Sequence, residues 1–439
     1  MIARNVRLIF TANALIVCCG VVTSLLSARF LGPAGRGDLL VIMLWPPVCA
    51  RLVALGFASA NRYWVAKDPT CVSTLFSNAI IFGLVVGGTT LALAEVIIPH
   101  LVGERSAETM WLVRLYLVNI PAALILLLML GLLDGARRFG WSGASRLTSF
   151  IVQAVGYVLL WRLGAFTLRN ASITVIVAQF SAMAISLFAV LRELRPNWQP
   201  SWSRGKAALN YGLRSYPGSL ADFTTLRLDQ LLLGGIASSA AIGLYFVAAR
   251  ISELTTVLGS SVADALMPEV AASQQADRAE RLLAKSFRLT LYTLLLVLIP
   301  FWFATPFILR FAYGEAFLAA TGTLRILLLA AVVLGAGDVV VSGLNGFGHP
   351  GLSTIARITA AIVTVISLLI LLPRMGIVGA AVASLLGYSS TLIFALFWLL
   401  RRREMGLWTL LRPQREDIPV KHVRSLFQFQ FLKTRDLET

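Results

Sequence analysis

Long uninterrupted apolar runs, each near the length that crosses a bilayer, alternate along the chain with short polar segments. A membrane-spanning helix takes about 20 mostly apolar residues. Read at that length, the pattern predicts twelve helices: 8–29, 38–60, 74–98, 111–133, 146–165, 171–191, 211–236, 240–266, 287–309, 323–344, 352–372 and 376–400. The runs are continuously apolar without period-two alternation, which predicts helices rather than the strands of a β-barrel. Pro46, Pro47, Pro121, Pro217 and Pro300 fall inside them; such kinks are tolerated where neighbours satisfy the freed carbonyls. The first run follows Arg4 and Arg7 but is too long for a signal-peptide core and has no AxA-like site after it, so it reads as a membrane helix.

Composition agrees with the pattern. Of 439 residues, 58% are hydrophobic and 13% charged, against about 45–50% and about 25% in soluble domains. A mean hydropathy of +0.80 excludes a soluble enzyme, a secreted disulfide scaffold or a disordered binder. The net charge of +17 comes from 38 basic and 21 acidic residues. With no basic run interleaved with aromatics, it points away from nucleic acid. Most of it sits between the apolar runs, where it sets orientation. With the N-terminus inside, the inner segments and C-terminal tail carry 25 Lys and Arg and the outer segments nine, so both termini are expected in the cytoplasm. Cys18, Cys19, Cys49 and Cys71 read as small hydrophobes, and three histidines are too few for a metal centre built on them. No cofactor and no metal are expected.

The longest polar interruption between runs, RELRPNWQPSWSRGK, divides the helices six and six. The halves resemble each other: LLDGARRFGWSGASRLTSF (132–150) aligns with GLNGFGHPGLSTIARITAA (343–361) at an offset of 211. Gly135/Gly346, Gly140/Gly351, Ser142/Ser353, Arg146/Arg357 and Thr148/Thr359 are then identical, and Asp134 faces Asn345. Six helices per half make the repeats parallel, about an axis along the membrane normal. The expected fold is therefore an all-α polytopic membrane protein of about 12 transmembrane helices, two parallel six-helix repeats around a central cavity. The expected parts are a bundle at 1–192, a cytoplasmic linker at 193–210, a second bundle at 211–400 and a basic cytoplasmic tail at 401–439. The amphipathic segment 273–288 reads as a short surface helix, and 405–411 as interfacial.

An ionisable side chain at bilayer depth costs roughly 2.5–3.5 kcal/mol on insertion scales, so it should face water or a partner. The second helix carries Arg51, with Arg62 eleven residues on and so nearly on the same helical face; the seventh carries Arg214, Asp222, Arg227, Asp229 and Gln230; the eighth carries Arg250, Glu253 and Asp264. Arg250, Glu253, Ser260 and Asp264 form one polar stripe at helical spacing. Two readings stay open. In one, Arg51, Arg62, Arg214, Arg227 and Arg250 offer a hydrated cavity positive charge for an anion, with Asp222, Asp229 and Glu253 as ion-coupling candidates. In the other, these groups pair structurally, Arg250 with Glu253 one turn away. Small-xxx-small pairs such as Gly83/Gly87 and Gly131/Gly135 read as close helix packing.

RFLGPAGRGDL after the first helix, and LRLDQLLLGGIASSAAIGLYFVAARISEL followed by ADALMPEVA at the opening of the second half, resemble the polysaccharide (O-antigen/exopolysaccharide) flippases. These belong to the multidrug/oligosaccharidyl-lipid/polysaccharide exporter superfamily. Arg227, Asp229, Leu233, Gly234, Gly243, Tyr245, Ala248 and Pro268 stand at family-like positions, and the resemblance covers residues 1–400. It implies a multi-pass protein of a bacterial cytoplasmic (inner) membrane that moves a polyprenyl-pyrophosphate-linked oligosaccharide from the inner to the outer leaflet. It also implies membrane lipids as surroundings, and a polysaccharide polymerase and glycosyltransferases as partners. Many members have fourteen spans; this chain has twelve. The alternatives are an ion-coupled multidrug antiporter, a lipid II flippase or, from another class, a membrane polysaccharide polymerase or ligase. An enzyme is disfavoured by the absence of any inter-helix loop longer than about twenty residues and of any DxD.

Overall fold

The computed structural model describes residues 2–103, 105–273, 275–403 and 406–413. Among these there is no strand, and the order is α1 (Ile2–Val53), α2 (Phe57–Lys67), α3 (Val72–Leu101), α4 (Ala107–Leu117), α5 (Asn119–Gly135), α6 (Phe139–Arg162) and α7 (Leu168–Leu194). Then follow α8 (Trp202–Ile236), α9 (Ser239–Ala272), α10 (Ala276–Ile308), α11 (Thr321–Gly346), α12 (Pro350–Arg403) and the short α13 (Leu407–Leu411). A π turn, Leu309–Tyr313, and a tight turn, Glu315–Ala320, join α10 to α11.

Nine helices among the described residues are long and apolar enough to cross a membrane. Two of the nine hold two predicted spans each: α1 breaks at Gly32 (φ 65°) and α12 at Gly376 (φ 56°). Glycine suits both breaks because it adopts positive φ without a Cβ clash. Helix α8, much of which lies outside the residues searched for spans, is not among the nine. All twelve predicted spans thus fall on helix, and the protein is an all-α, multi-pass membrane protein.

The local differences have local causes. The second predicted span is cut at Leu55 and Gly56, both at positive φ, so α2 starts afresh at Phe57. The fourth is cut between α4 and α5, three residues before Pro121. There Pro121 has no N–H to give, and Asn119 Nδ2 donates to the Tyr116 carbonyl at 3.1 Å. The amphipathic segment expected as a separate surface helix runs on without a break into α10 from Ala276.

The chain divides into two compact units, Met1–Leu254 with Phe303–Leu327 and Ala360–Gly387, and Thr255–Trp302 with Leu328–Thr359 and Tyr388–Thr439. The core of the first joins α2, α3, α5 and α7 through buried Phe57, Leu75, Leu124, Leu128, Leu132 and Val190, with Phe57 stacked on Phe82 at 5.0 Å. Glycine lets these helices touch backbone to backbone. A Cβ on Gly131 would stand 2.5 Å from the Ala58 carbonyl oxygen, and one on Gly87 would stand 2.8 Å from Pro121 Cα. The second unit packs Leu283, Val339, Leu344, Ala395, Leu399 and Leu410, and a Cβ on Gly259 would stand 2.4 Å from Gly335 Cα. Large apolar side chains face outward along the helices: on α3, Leu84, Leu93 and Val96 are 58%, 62% and 66% exposed. In water such a stripe would be a liability; in a bilayer it is the lipid face.

Gly131→Val therefore drives a branched side chain into the α2 backbone. The expected loss is about 1–3 kcal/mol, read as a lowered thermal midpoint in detergent, whereas valine at Gly88, which has nothing within 4 Å of its Cβ position, leaves the midpoint near wild type.

Candidate functional site

The polar groups of the first unit gather where α1 and α2 meet α8 and α9. After Gly32, α1 runs from 33 to 53, a length of about 30 Å, close to the hydrocarbon thickness. It is tied at both ends.

At the 33–38 end the contact is backbone-close and charged. A Cβ on Gly37 would stand 1.7 Å from the Ser239 carbonyl oxygen, and one on Gly243 would stand 2.0 Å from that of Pro33. Asp38 accepts from Ser239 Oγ at 2.5 Å and from Arg105 Nη1 at 3.2 Å. Arg105 also donates to Ser239 Oγ and to the carbonyls of Ala237 at 3.0 Å and Gly234 at 3.3 Å. One buried guanidinium thus collects the orphan carbonyls at the end of α8 together with the carboxylate of α1.

At the other end, Gly56 meets Gly212, where a Cβ on either would fall under 3 Å from the other's backbone. Tyr63 stacks on Tyr211 at 4.4 Å, and the Tyr216 hydroxyl donates to the Leu52 carbonyl at 2.6 Å. Nearby, Asp134 of α5 accepts from Arg62 at 2.9 Å and from Arg146 of α6 at 3.2 Å. Its side chain is 8% exposed, while the two arginines stand 60% and 47% exposed.

Arg250 of α9 lies against the part of α1 before the break: its Nη2 occupies the place where a Cβ on Gly20 would be. It also reaches Glu253 at 3.0 Å, so the pairing one turn away is formed. Asp229 of α8 is buried, accepting from the Tyr245 hydroxyl and from the Gln230 N–H at 2.7 Å. Arg51 is exposed at the last turn of α1 and has a partner; Arg214 is exposed on α8. The side chains of Asp222, Arg227 and Asp264 lie outside the described residues. Arg51 and Arg62 do not share a helix face, because the chain breaks at Leu55 and Gly56 between them.

Sequence reasoning missed Arg36, Asp38 and Arg105 as parts of this region. Arg36 lies in the predicted segment between the first two spans and Asp38 at the first position of the second; the helix in fact resumes directly after Gly32. Asp134 was visible only as the repeat position opposite Asn345. An apolar cavity of about 540 Å³ also opens among Phe57, Phe82, Val86, Trp202 and Lys206, and none of the charge clusters lines it.

The fold is shared with exporters of the multidrug/oligosaccharidyl-lipid/polysaccharide superfamily. The lipid II flippase MurJ in an inward closed conformation superposes with a TM-score of 0.76 at 15% identity, covering 98% of this chain and 100% of that one. An inward-facing multidrug resistance MATE transporter gives 0.72 at 16% identity, covering 89% and 94%. The family profile for polysaccharide biosynthesis proteins matches residues 26–321, and the chain belongs to that family. A curated relative, the probable low-salt glycan biosynthesis flippase Agl15 of Haloferax volcanii, is 23% identical over 238 residues, 53% of this chain. The match spans half of that relative's length.

The buried carboxylate of Asp134 serves two arginines from different helices. Asp134→Ala should cost about 1–2 kcal/mol, the arginines being half exposed and screened. A double-mutant cycle with Arg62→Ala in thermal unfolding reads the coupling; strict additivity would mean that the pair holds nothing together.

Proposed function

We infer that this protein is a flippase for a polyprenyl-pyrophosphate-linked oligosaccharide, moved from the inner to the outer leaflet of a bacterial cytoplasmic membrane for surface polysaccharide synthesis. The observation that carries the reading is the polysaccharide-biosynthesis family match over 26–321 on a transporter fold. In the proposed cycle the two six-helix halves, 1–192 and 211–400 joined by 193–210, alternate access to a cationic path. Both termini and the tail 401–439 are cytoplasmic. The 33–38 end of α1 then faces outside and the 52–63 end faces the cytoplasm.

The anionic head group loses hydration as it leaves the interface, and arginine offsets that loss with charge-assisted, bidentate hydrogen bonds. Arg62 and Arg214 stand nearest the cytoplasmic end, followed by Arg51, Arg227 and Arg250. Asp222, Asp229 and Glu253 are the candidates for coupling to an ion. The polyprenyl tail stays in lipid. Moving one negative charge outward, down an inside-negative potential, is favourable by about 2.3 kcal/mol per 100 mV, so a pyrophosphate can draw on the potential itself. A polymerase and the glycosyltransferases that build the cargo are the expected partners.

Deleting the gene and extracting polyprenyl-linked saccharides for mass spectrometry tests the reading. The expected result is accumulation of a lipid-linked oligosaccharide and loss of the surface polymer. Sensitivity to cationic dyes without accumulation would instead mean a drug antiporter. Arg250→Ala is expected to reproduce the accumulation with about a tenfold loss of transport; wild-type transport in that variant would sink the arginine path.

A further inference from the structure

We propose that Arg36 is an anion-binding residue of the translocation path, taking phosphate oxygens of the cargo at the outer end of α1. The proposal rests on the flippase reading and adds a residue to its path. Arg36 is 9% exposed. Among the described residues it has neither a hydrogen bond nor an ion pair, and its Nε is buried without a partner. Among the described residues, the titratable groups that act on its charge are Tyr157, Tyr313 and Arg250. Its close neighbour in sequence, Asp38, is engaged by Arg105 and Ser239.

The surroundings are rich in donors. The Tyr157 hydroxyl accepts from Gln153 Nε2 at 3.2 Å, which leaves its own proton to give. Tyr313 shares a 3.4 Å hydrogen bond with Ser24. A buried, unpaired guanidinium with a second arginine acting on it is a setting that favours an anion such as a phosphate ester over a cation. A buried charge without a counter-charge is a burden on stability that an apolar side chain of similar length would relieve. A residue kept at that cost is a candidate for function. The planar fork of arginine matches two phosphate oxygens at once.

The test uses the purified full-length chain in phosphatidylcholine nanodiscs, with Arg36→Met and Arg36→Lys beside wild type. Arg36→Met is expected to raise the thermal midpoint by a few degrees while reducing lipid-linked saccharide transport about tenfold or more. Inorganic pyrophosphate is expected to stabilise wild type, Arg36→Lys less, and Arg36→Met not at all. A lowered midpoint in Arg36→Met would make the residue structural and overturn the proposal, as would equal stabilisation of all three proteins by pyrophosphate. Stabilisation of wild type by phosphatidylglycerol but not by pyrophosphate would assign the anion to a lipid head group and overturn the cargo assignment. If gene deletion caused no accumulation of lipid-linked saccharide, the flippase reading itself would fail, whatever Arg36 binds.

Discussion

A charge inside a bilayer persists only where a counter-charge, a set of hydrogen-bonding groups or water surrounds it, and that requirement decides which helices of the first unit meet. Asp38 of α1 brings in Arg105 from the α3–α4 connection and Ser239 from the start of α9. Asp134 of α5 brings in Arg62 from α2 and Arg146 from α6. Asp229 of α8 holds Tyr245 of α9. The first two groups join segments far apart in sequence that apolar packing alone would not distinguish, because lipid tails compete equally for an apolar helix face.

The apolar core is packed to resist sliding. Helices α2, α3, α5 and α7 interlock through buried leucines and through glycines that admit a neighbouring backbone. Such packing resists sliding, since any shift of Gly131 past Ala58 opens a void or forces a clash. The contacts described between α1 and α2 on one side and α8 and α9 on the other include hydrogen bonds, a tyrosine stack and glycine-to-backbone touches at each end.

The spans were legible because period and length are properties of the chain alone. All twelve lie on helix, and the packing role read for Gly83/Gly87 and Gly131/Gly135 agrees with the close approaches to Ile125, Pro121, Ala58 and Arg62. Not every break was legible. The breaks at Gly32 and Gly376 fall at the joints between predicted spans, but Gly56 sits inside one, in an apolar run whose glycine is equally compatible with a straight helix, and only positive φ at Leu55 and Gly56 reveals that break. The break at Leu55 and Gly56 undoes the inference that Arg51 and Arg62 share a face, since helical spacing carries no meaning across it. The charges were legible as costs but not as pairs. Arg250 with Glu253 was within reach of local spacing; Asp38 with Arg105, 67 residues apart, was not.

Among the arginines of the proposed path, the state of pairing matters more than the number. A site that binds an anion too well becomes a trap, so transport needs attraction strong enough to strip water from the head group and weak enough to release it. Arg250, 3.0 Å from Glu253, presents a charge already partly balanced, and the carboxylate can take the guanidinium back as the anion moves on. Arg36 has no such partner. In the proposed path an unbalanced cation there would hold the head group harder than Arg250 does, and the carboxylate beside Arg250 is what keeps that arginine from becoming a trap.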